Sequence, residues 1–412
     1  MVMSWTPTDA ETLLHAAFPW STHVTVEGGS KFVSARYAVL EENFGVAEAL
    51  LRFERDPGDT VQRVRRSQLE HAVNTGILEL DSGASVCQPE VTDMPLLASP
   101  FRDLIGYQPT IEHGWIARMR LHQSWWRAFR LRVPYGTGPT RSSKTRYGNM
   151  LDDDGAARGL NFLTDEACAA YDERVAVTPV GVDEWRTRRN LLASQPMAFN
   201  LFGHLSKHLG LATGLFQRLL SNGEVSAVTS IEIERLSDAL GDRTAFDAFV
   251  TYRRPDGAHA CVVVETKLTE PFSQQSYDWT RYVAHTAFDA TVWTTAEPNV
   301  LGDGRWSQLW RNHLLARAES AACDGLGPAT LLVVHHPLDP HCRRNVDAYR
   351  ALLHEPTEVR AVDLLAIRDV LGDLVVGDDN QEKWLADFSD RYLDLRLSDA
   401  LRGIEDTAPA GA

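Results

Sequence analysis

The sequence predicts an α/β fold whose core runs helix, three strands, helices, strand, and three stretches carry that expectation. SQPMAFNLFGHLSKHLGLATGLFQRLL is apolar over a length that suits one long, mostly buried helix, with Ser194 as N-cap and Pro196 in the first turn. VSAVTSIEIERLS, AFDAFVTYRR and AHACVVVETKLTE follow as β-rich runs, and the turn Pro255-Asp256-Gly257 between the last two makes them a hairpin. Beyond helical segments at 276–288 and 306–323, ATLLVVHHP supplies a further buried strand at 329–337.

Bulk properties bound the rest. A chain of 412 residues, 44% hydrophobic and 24% charged, has the composition of a folded globular protein long enough for two or three modules. The formal net charge of −15 repels nucleic acid unless basic residues are gathered locally. Five scattered cysteines without a CxxC pair fit neither a disulfide framework nor a zinc ribbon, and point to a reducing cytoplasm. No basic, apolar leader opens the chain and no uncharged run approaches the roughly 18 residues of a membrane span, so no membrane partner is expected.

Taken in order, residues 1–110 read as a mixed α/β region of unknown role, with helices expected at Asp9–Phe18 and Asp59–Asn74. A connecting region, 111–190, follows Pro- and Gly-punctuated chain. From Trp115 to Tyr147 it holds eight basic residues and no acidic one, interleaved with aromatic rings. Arg127, Arg130, Arg132, Arg141, Lys144 and Arg146 are therefore candidate phosphate contacts, with rings able to stack on bases. The competing reading is an amphipathic helix, Trp115–Leu131, whose rings are core and whose arginines are solvated. The core occupies 191–345, and 346–412 forms a helical extension, with an amphipathic helix over 381–403.

The hairpin is where generic patterning ends, because Glu265-Thr266-Lys267 abruptly closes the apolar run Cys261–Val264. Alternation puts Glu265 and Lys267 on one face and turns Thr266 away. A three-residue loop with Gly257 in the left-handed position pairs Arg254 with Ala258, and counting outward sets Asp247 opposite Glu265. Their Cβ atoms then lie about 4.5–5.5 Å apart. Two carboxylates so placed repel one another unless one is protonated or a hard cation lies between them. Mg²⁺ (or Mn²⁺) would also polarise a phosphoryl oxygen and acidify a bound water, with Lys267 as a compact charge beside it. The plainer alternative is a surface ion pair of Glu265 with Lys267 and a solvated Asp247.

Asp247 followed by Glu265-Thr266-Lys267, on the second and third strands of this core order, resembles the PD-(D/E)XK nuclease superfamily. Ala245-Phe246 stands where that pattern has its proline. SQPMAFNLFGHL, TAFDAFV, VVVETKLTEPFS and QLWRNHLLA are similar to successive blocks of a restriction-endonuclease-like branch, over roughly 140–335, with YGNML and GLNFLTDEA upstream of its helix. The resemblance implies a restriction-endonuclease-like core and a Mg²⁺-dependent endonuclease. Asp247 and Glu265 would be its metal ligands, Lys267 its catalytic lysine, and DNA its expected substrate, in restriction, phage defence or repair. Glu234, Glu270, Gln195 and Asn200 are accessory candidates, and a second copy of the chain is a candidate partner.

Two other function classes stand beside the nuclease: a catalytically inactive nucleic-acid-binding protein of the same fold, and a structural protein whose hairpin charges only pair. The cluster His335, His336, His341 and Cys342 matches no zinc spacing and reads as strand-end hydrogen bonding. Walker A, GxGxxG and GxSxG motifs are missing, so ATP, dinucleotide and serine-hydrolase chemistries lack support.

Overall fold

β-Branched and aromatic runs form the sheets of the computed structural model. It describes the backbone of 35–43, 46–53 and 60–65, and then 103–399 apart from 110–113, 221–222, 242–243, 274–278, 289 and 323–325. Two compact units are present, Met1–His122 with Leu395–Ala412, and Gln123–Asp394.

In the first unit β1 (Ala35–Asn43), β2 (Val46–Phe53) and β3 (Thr60–Arg65) make an antiparallel sheet in that order. The helix expected at 59–74 is thus corrected over 60–65: Thr60, Val61 and Val64 are β-branched, and the segment pairs with β2 from Phe53↔Thr60 to Glu48↔Arg65. The helix expected at 9–18 lies outside the described residues.

Helix α1 (Gly114–Trp125) continues as a π-helical turn, Trp126–Leu131, that stops at Arg132 in a left-handed conformation (φ 56°). Trp115 and Trp126 are buried, as the amphipathic reading requires. A short hairpin of β4 (Tyr135–Thr137) and β5 (Arg146–Leu151) precedes α2 (Asp165–Val177), which Thr164 caps by accepting from Ala167 N.

The single helix expected from Ser194 onward is interrupted. α3 (Ser194–Ala198) passes through a π-helical stretch, Phe199–Gly203, and one more turn to Lys207; the chain then leaves helical geometry at His208 (φ −127°, ψ 60°) before α4 (Leu209–Leu220). His208 takes part in a packed polar knot, its ring 4.5 Å from that of His204 and bonded by the Gln381 amide, which fixes the break. Ser194 is the first residue of α3 and offers no side-chain cap, so that expectation is also corrected.

The central sheet has the order β10-β9-β8-β7-β6. β6 (Ala227–Ser237), β7 (Thr244–Arg253) and β8 (His259–Lys267) are antiparallel neighbours, while β9 (Leu326–His335) and β10 (Val359–Asp363) run parallel to β8. The hairpin register is the expected one: Arg254 N donates to Ala258 O at 2.7 Å, Gly257 has φ +86°, and the ladder climbs from Arg253↔His259 to Ala248↔Val264. β8 is buried from Ala260 to Lys267, as a strand covered on both faces must be. Cys261, Val263, Leu331 and Val333 share one apolar cluster with Trp310, Leu314 and Leu315 of α6 (Ser307–Ala322), which follows α5 (Trp279–Phe288). Each such buried side chain contributes on the order of 1.5–3 kcal/mol. α3 and α4 supply cover from 194 to 220, packing on β7 and β8 (α3) and on β6 (α4).

Chain beyond 345 also belongs to this sheet. After α7 (Cys342–Arg350), β10 leads into α8 (Leu364–Leu374), whose start Asp363 caps. α9 (Asp379–Tyr392) buries Trp384, Leu385, Phe388 and Tyr392 but ends at Tyr392, where Leu393 N and Asp394 N both bond Ser389 O; the helix expected over 381–403 is shortened accordingly. No helix among the described residues is long and apolar enough to cross a membrane.

Candidate functional site

The charged end of β8 is buried, and its partners show how the fold keeps it there. Glu265 and Lys267 are each 6% exposed, and Lys267 Nζ donates to Glu265 Oε1 at 2.8 Å. The ion pair weighed from the sequence therefore exists, but in the interior rather than at the surface. Gln308 and Asn312, one turn apart on α6, complete it: Gln308 Nε2 donates to Glu265 Oε1 and Asn312 Nδ2 to Glu265 Oε2, both at 2.7 Å. Gln308 Oε1 in turn accepts from Lys267 Nζ at 3.2 Å and from Ser273 N at 2.7 Å. Burial alone would lower the pKa of Lys267, yet the charge and hydrogen bond of Glu265 and the nearby Asp247 and Glu270 carboxylates outweigh it and hold the ammonium protonated.

Asp247 sits where the β7–β8 ladder stops. Its Oδ2 accepts from Thr266 N at 2.6 Å and Thr266 Oγ1 at 2.7 Å, so a carboxylate takes over the strand's next hydrogen bond. Thr266, expected to turn away, is thereby part of the site. Burial and the Glu265 charge push the Asp247 carboxyl up to about 7, against the Thr266 hydrogen bonds and Lys267.

Glu234 lies one strand further over. Ile233↔Ala248 and Arg235↔Phe246 flank it without a register shift, which places it opposite Asp247. Its backbone is left-handed (φ 52°), a conformation costing on the order of 1–3 kcal/mol in a non-glycine residue. Arg174 secures it: its Nε donates to Glu234 O at 2.7 Å and its Nη2 to Val180 O at 2.8 Å. Glu234 is 2% exposed, and its Oε1 meets no donor among the described residues. Burial and then the Asp247 charge raise its pKa well above the carboxylate range, with the Gln195 amide and Arg174 offsetting part of the rise.

Glu234, Asp247 and Glu265 thus follow one another across β6, β7 and β8, with one lysine among them. This donor set suits a hard divalent cation, because the alternative is retained protons on buried carboxyls. Glu265 accepts three hydrogen bonds, and a carboxylate has about four lone-pair positions, so a place for a cation remains. Among the described residues no three His, Cys, Asp or Glu side chains already close around a metal position.

The remaining sequence candidates divide. Glu270 is a cap and brace: it accepts from Ser194 N at 3.0 Å and from Arg186 at 2.7 Å, supplying the first turn of α3 with the acceptor that Ala193, at the N-cap position, lacks. Gln195 accepts from Asp183 N at 3.1 Å besides facing Glu234. Asn200 is structural, bonding Leu163 N, Asn161 O and the Tyr392 hydroxyl away from the carboxylates. Arg127 is withdrawn from the phosphate contacts: it is 1% exposed and donates to the carbonyls of Gly148 and Val133. Arg130 pairs with Asp390, whereas Arg132, Arg141 and Lys144 are exposed, and Arg146 lies over the Tyr135 ring at 4.5 Å. In the histidine cluster His336 Nε2 bonds Tyr392 O, His341 bonds Arg344, and burial drives the Cys342 thiol up.

Sequence reasoning missed Gln308 and Asn312, whose trace was two amides four residues apart among Leu309, Trp310 and Leu314. The model of the PD-(D/E)XK nuclease superfamily matches residues 110–394. No curated protein and no solved structure matches the chain.

Proposed function

Because this chain belongs to the PD-(D/E)XK nuclease superfamily, we propose that it hydrolyses phosphodiester bonds of DNA with a divalent cation, Mg²⁺ or Mn²⁺, in restriction, phage defence or repair. The observation that carries the reading is the row Glu234, Asp247, Glu265 on three adjacent strands with Lys267 paired to its last member. Asp247 and Glu265 would hold the cation, with Glu234 as the third carboxylate. A cation bound there would polarise the phosphoryl oxygen and acidify a water.

The protein's own groups supply the rest. Lys267, kept charged by the carboxylates around it, turns a water toward phosphorus and stabilises charge developing on the phosphoryl oxygens. Gln308 and Asn312 fix the Glu265 carboxylate against rotation, so its position does not depend on the cation. Thr266 does the same for Asp247. The exposed Arg132, Arg141, Lys144 and Arg146 provide a local basic patch in an acidic chain, suited to the phosphates flanking the scissile bond.

The test is incubation of the purified protein with supercoiled plasmid, linear duplex and single-stranded DNA in Mg²⁺ or Mn²⁺. A chelator control and the Asp247→Ala and Lys267→Ala variants accompany it, each checked for folding by circular dichroism. Metal-dependent cleavage absent from both folded variants is the expected result. Binding of DNA without cleavage on any substrate would replace this reading with that of an inactive nucleic-acid-binding protein.

A further inference from the structure

β9 ends, as β8 does, by placing polar side chains directly after an apolar run: Leu331 to Val334 are buried and His335 follows. The ladder between the two strands is parallel and sets His335 beside Lys267, continuing Glu265↔Val333 and Thr266↔Val334. Neighbouring strands lie about 4.8 Å apart and in-register residues leave a sheet on the same side. That side is the one covered by α6, since Cys261, Val263, Leu331 and Val333, all in phase with Lys267 and His335, share its apolar cluster. The imidazole therefore enters the same space as the ammonium group.

Its chemistry there is fixed by one hydrogen bond. His335 Nδ1 lies 2.9 Å from the carbonyl oxygen of His336. A carbonyl can only accept, so Nδ1 carries the hydrogen, and in the neutral ring Nε2 is left as an acceptor. His335 is 3% exposed, and no group among the described residues bonds Nε2. A buried acceptor without a donor costs on the order of 1–3 kcal/mol. Such a cost concentrated one strand from the carboxylates needs a compensating donor, and Lys267 Nζ, which gives two of its three hydrogens to Glu265 and Gln308, has a third left for a water shared with the imidazole.

Resting on the nuclease reading, we infer that His335 is a further catalytic residue whose Nε2 accepts a hydrogen bond from the attacking water. Lys267 donates to the water's oxygen and one O–H of the water donates to His335 Nε2, so the two contacts together aim a lone pair at phosphorus. The role is that of an acceptor in a fixed orientation; no bond is made or broken at the ring.

The test compares three substitutions. His335→Gln keeps an oxygen near the Nε2 position, His335→Asn retains polarity but places its amide near Nδ1, and His335→Leu keeps bulk only. Steady-state cleavage of the best DNA substrate in Mg²⁺ is measured alongside thermal unfolding and DNA binding in Ca²⁺. Misdirecting the water is expected to lower kcat on the order of 100-fold in the Leu and Asn variants, with KM and DNA affinity unchanged and the Gln variant within about tenfold of wild type. A crystal structure of the wild type is expected to show one water within hydrogen-bond reach of both His335 Nε2 and Lys267 Nζ. Equal kcat for wild type and folded His335→Leu, or a protein donor found on Nε2, would overturn the inference while leaving the nuclease reading intact. An inactive wild type would overturn both.

Discussion

Two buried polar clusters occupy the unit Gln123–Asp394, and they are built on opposite terms. Around Arg391 every donor nitrogen has a partner: its guanidinium donates to Gln123 Oε1, Asn161 O and Asn161 Oδ1, while Asn161 donates to the carbonyls of Thr187 and Asn190 and Asn200 to Tyr392. At the ends of β6–β9 the opposite holds. Three carboxylates share one lysine, Glu234 Oε1, His335 Nε2 and Asn312 Oδ1 lack partners among the described residues, and one backbone is left-handed. A satisfied network rigidifies a fold, whereas a buried cluster left in deficit stores a requirement for something else. That contrast separates scaffold from site more sharply than burial does, because both clusters hold buried polar side chains, Arg391 and Asn161 in one and Glu234, Glu265 and Lys267 in the other.

The contrast is most exposed to failure at Asp247. Asp247→Asn keeps an oxygen for Thr266 but removes a charge, so cleavage is expected to fall on the order of 10³-fold. Stability should hold or rise, because a mutual repulsion has gone. Urea unfolding beside a cleavage assay decides it, and an Asn variant that loses both stability and activity would place Asp247 with the scaffold. Arg391→Met should do the reverse. It withdraws three hydrogen bonds from buried oxygens, so about 3–5 kcal/mol of unfolding free energy is expected to disappear while kcat per folded molecule is kept.

A third consequence concerns pH. The Asp247 carboxyl is raised from the ordinary value of 3.8 to about 7, and Glu234 is shifted the same way. Between those two values the native state keeps a proton that the unfolded chain has released, so stability falls as pH rises through the window and the full cost is present above about 7. The stability advantage of Asp247→Asn over wild type, measured in chelator, should therefore widen from pH 5 to pH 8. A cation that replaces the protons should stabilise wild type most at the upper end, by about 2.7 kcal/mol at a hundredfold excess over its Kd. A gap between wild type and Asn that is independent of pH would show that the repulsion is relieved in some other way.

Parts of this site were legible because they depend on local geometry. A three-residue turn with glycine fixes a hairpin register, and the register alone carries Asp247 to Glu265 across 18 residues. The apolar run of β8 likewise announced its own burial. What stayed hidden depends on contacts between distant segments. Gln308 and Asn312 become ligands of Glu265 only when α6 lies across β8, and Glu270 becomes a cap only when α3 starts beside it. Arg127, basic and flanked by rings, looked like a phosphate contact until two carbonyls proved to claim it in the interior. Six residues at Thr60–Arg65 fell within an expected helix, although they pair with a neighbouring strand.

The smallest expected effect is at Glu234, and it asks whether strain and charge there serve one purpose. Left-handed backbone in a glutamate is tolerated because Arg174 holds its carbonyl together with those of Thr178 and Val180. Glu234→Gly removes both the strain and the carboxyl, and should stabilise the protein by about 1 kcal/mol through relief of the left-handed backbone. Glu234→Gln removes the charge alone and keeps the strain. If the carboxyl belongs to the cation site, both variants bind Mn²⁺ more weakly than wild type, and only glycine gains the backbone share of stability. Unchanged Mn²⁺ affinity in the two variants would leave Glu234 as a strained structural residue of β6, and would reduce the carboxylate row to Asp247 and Glu265.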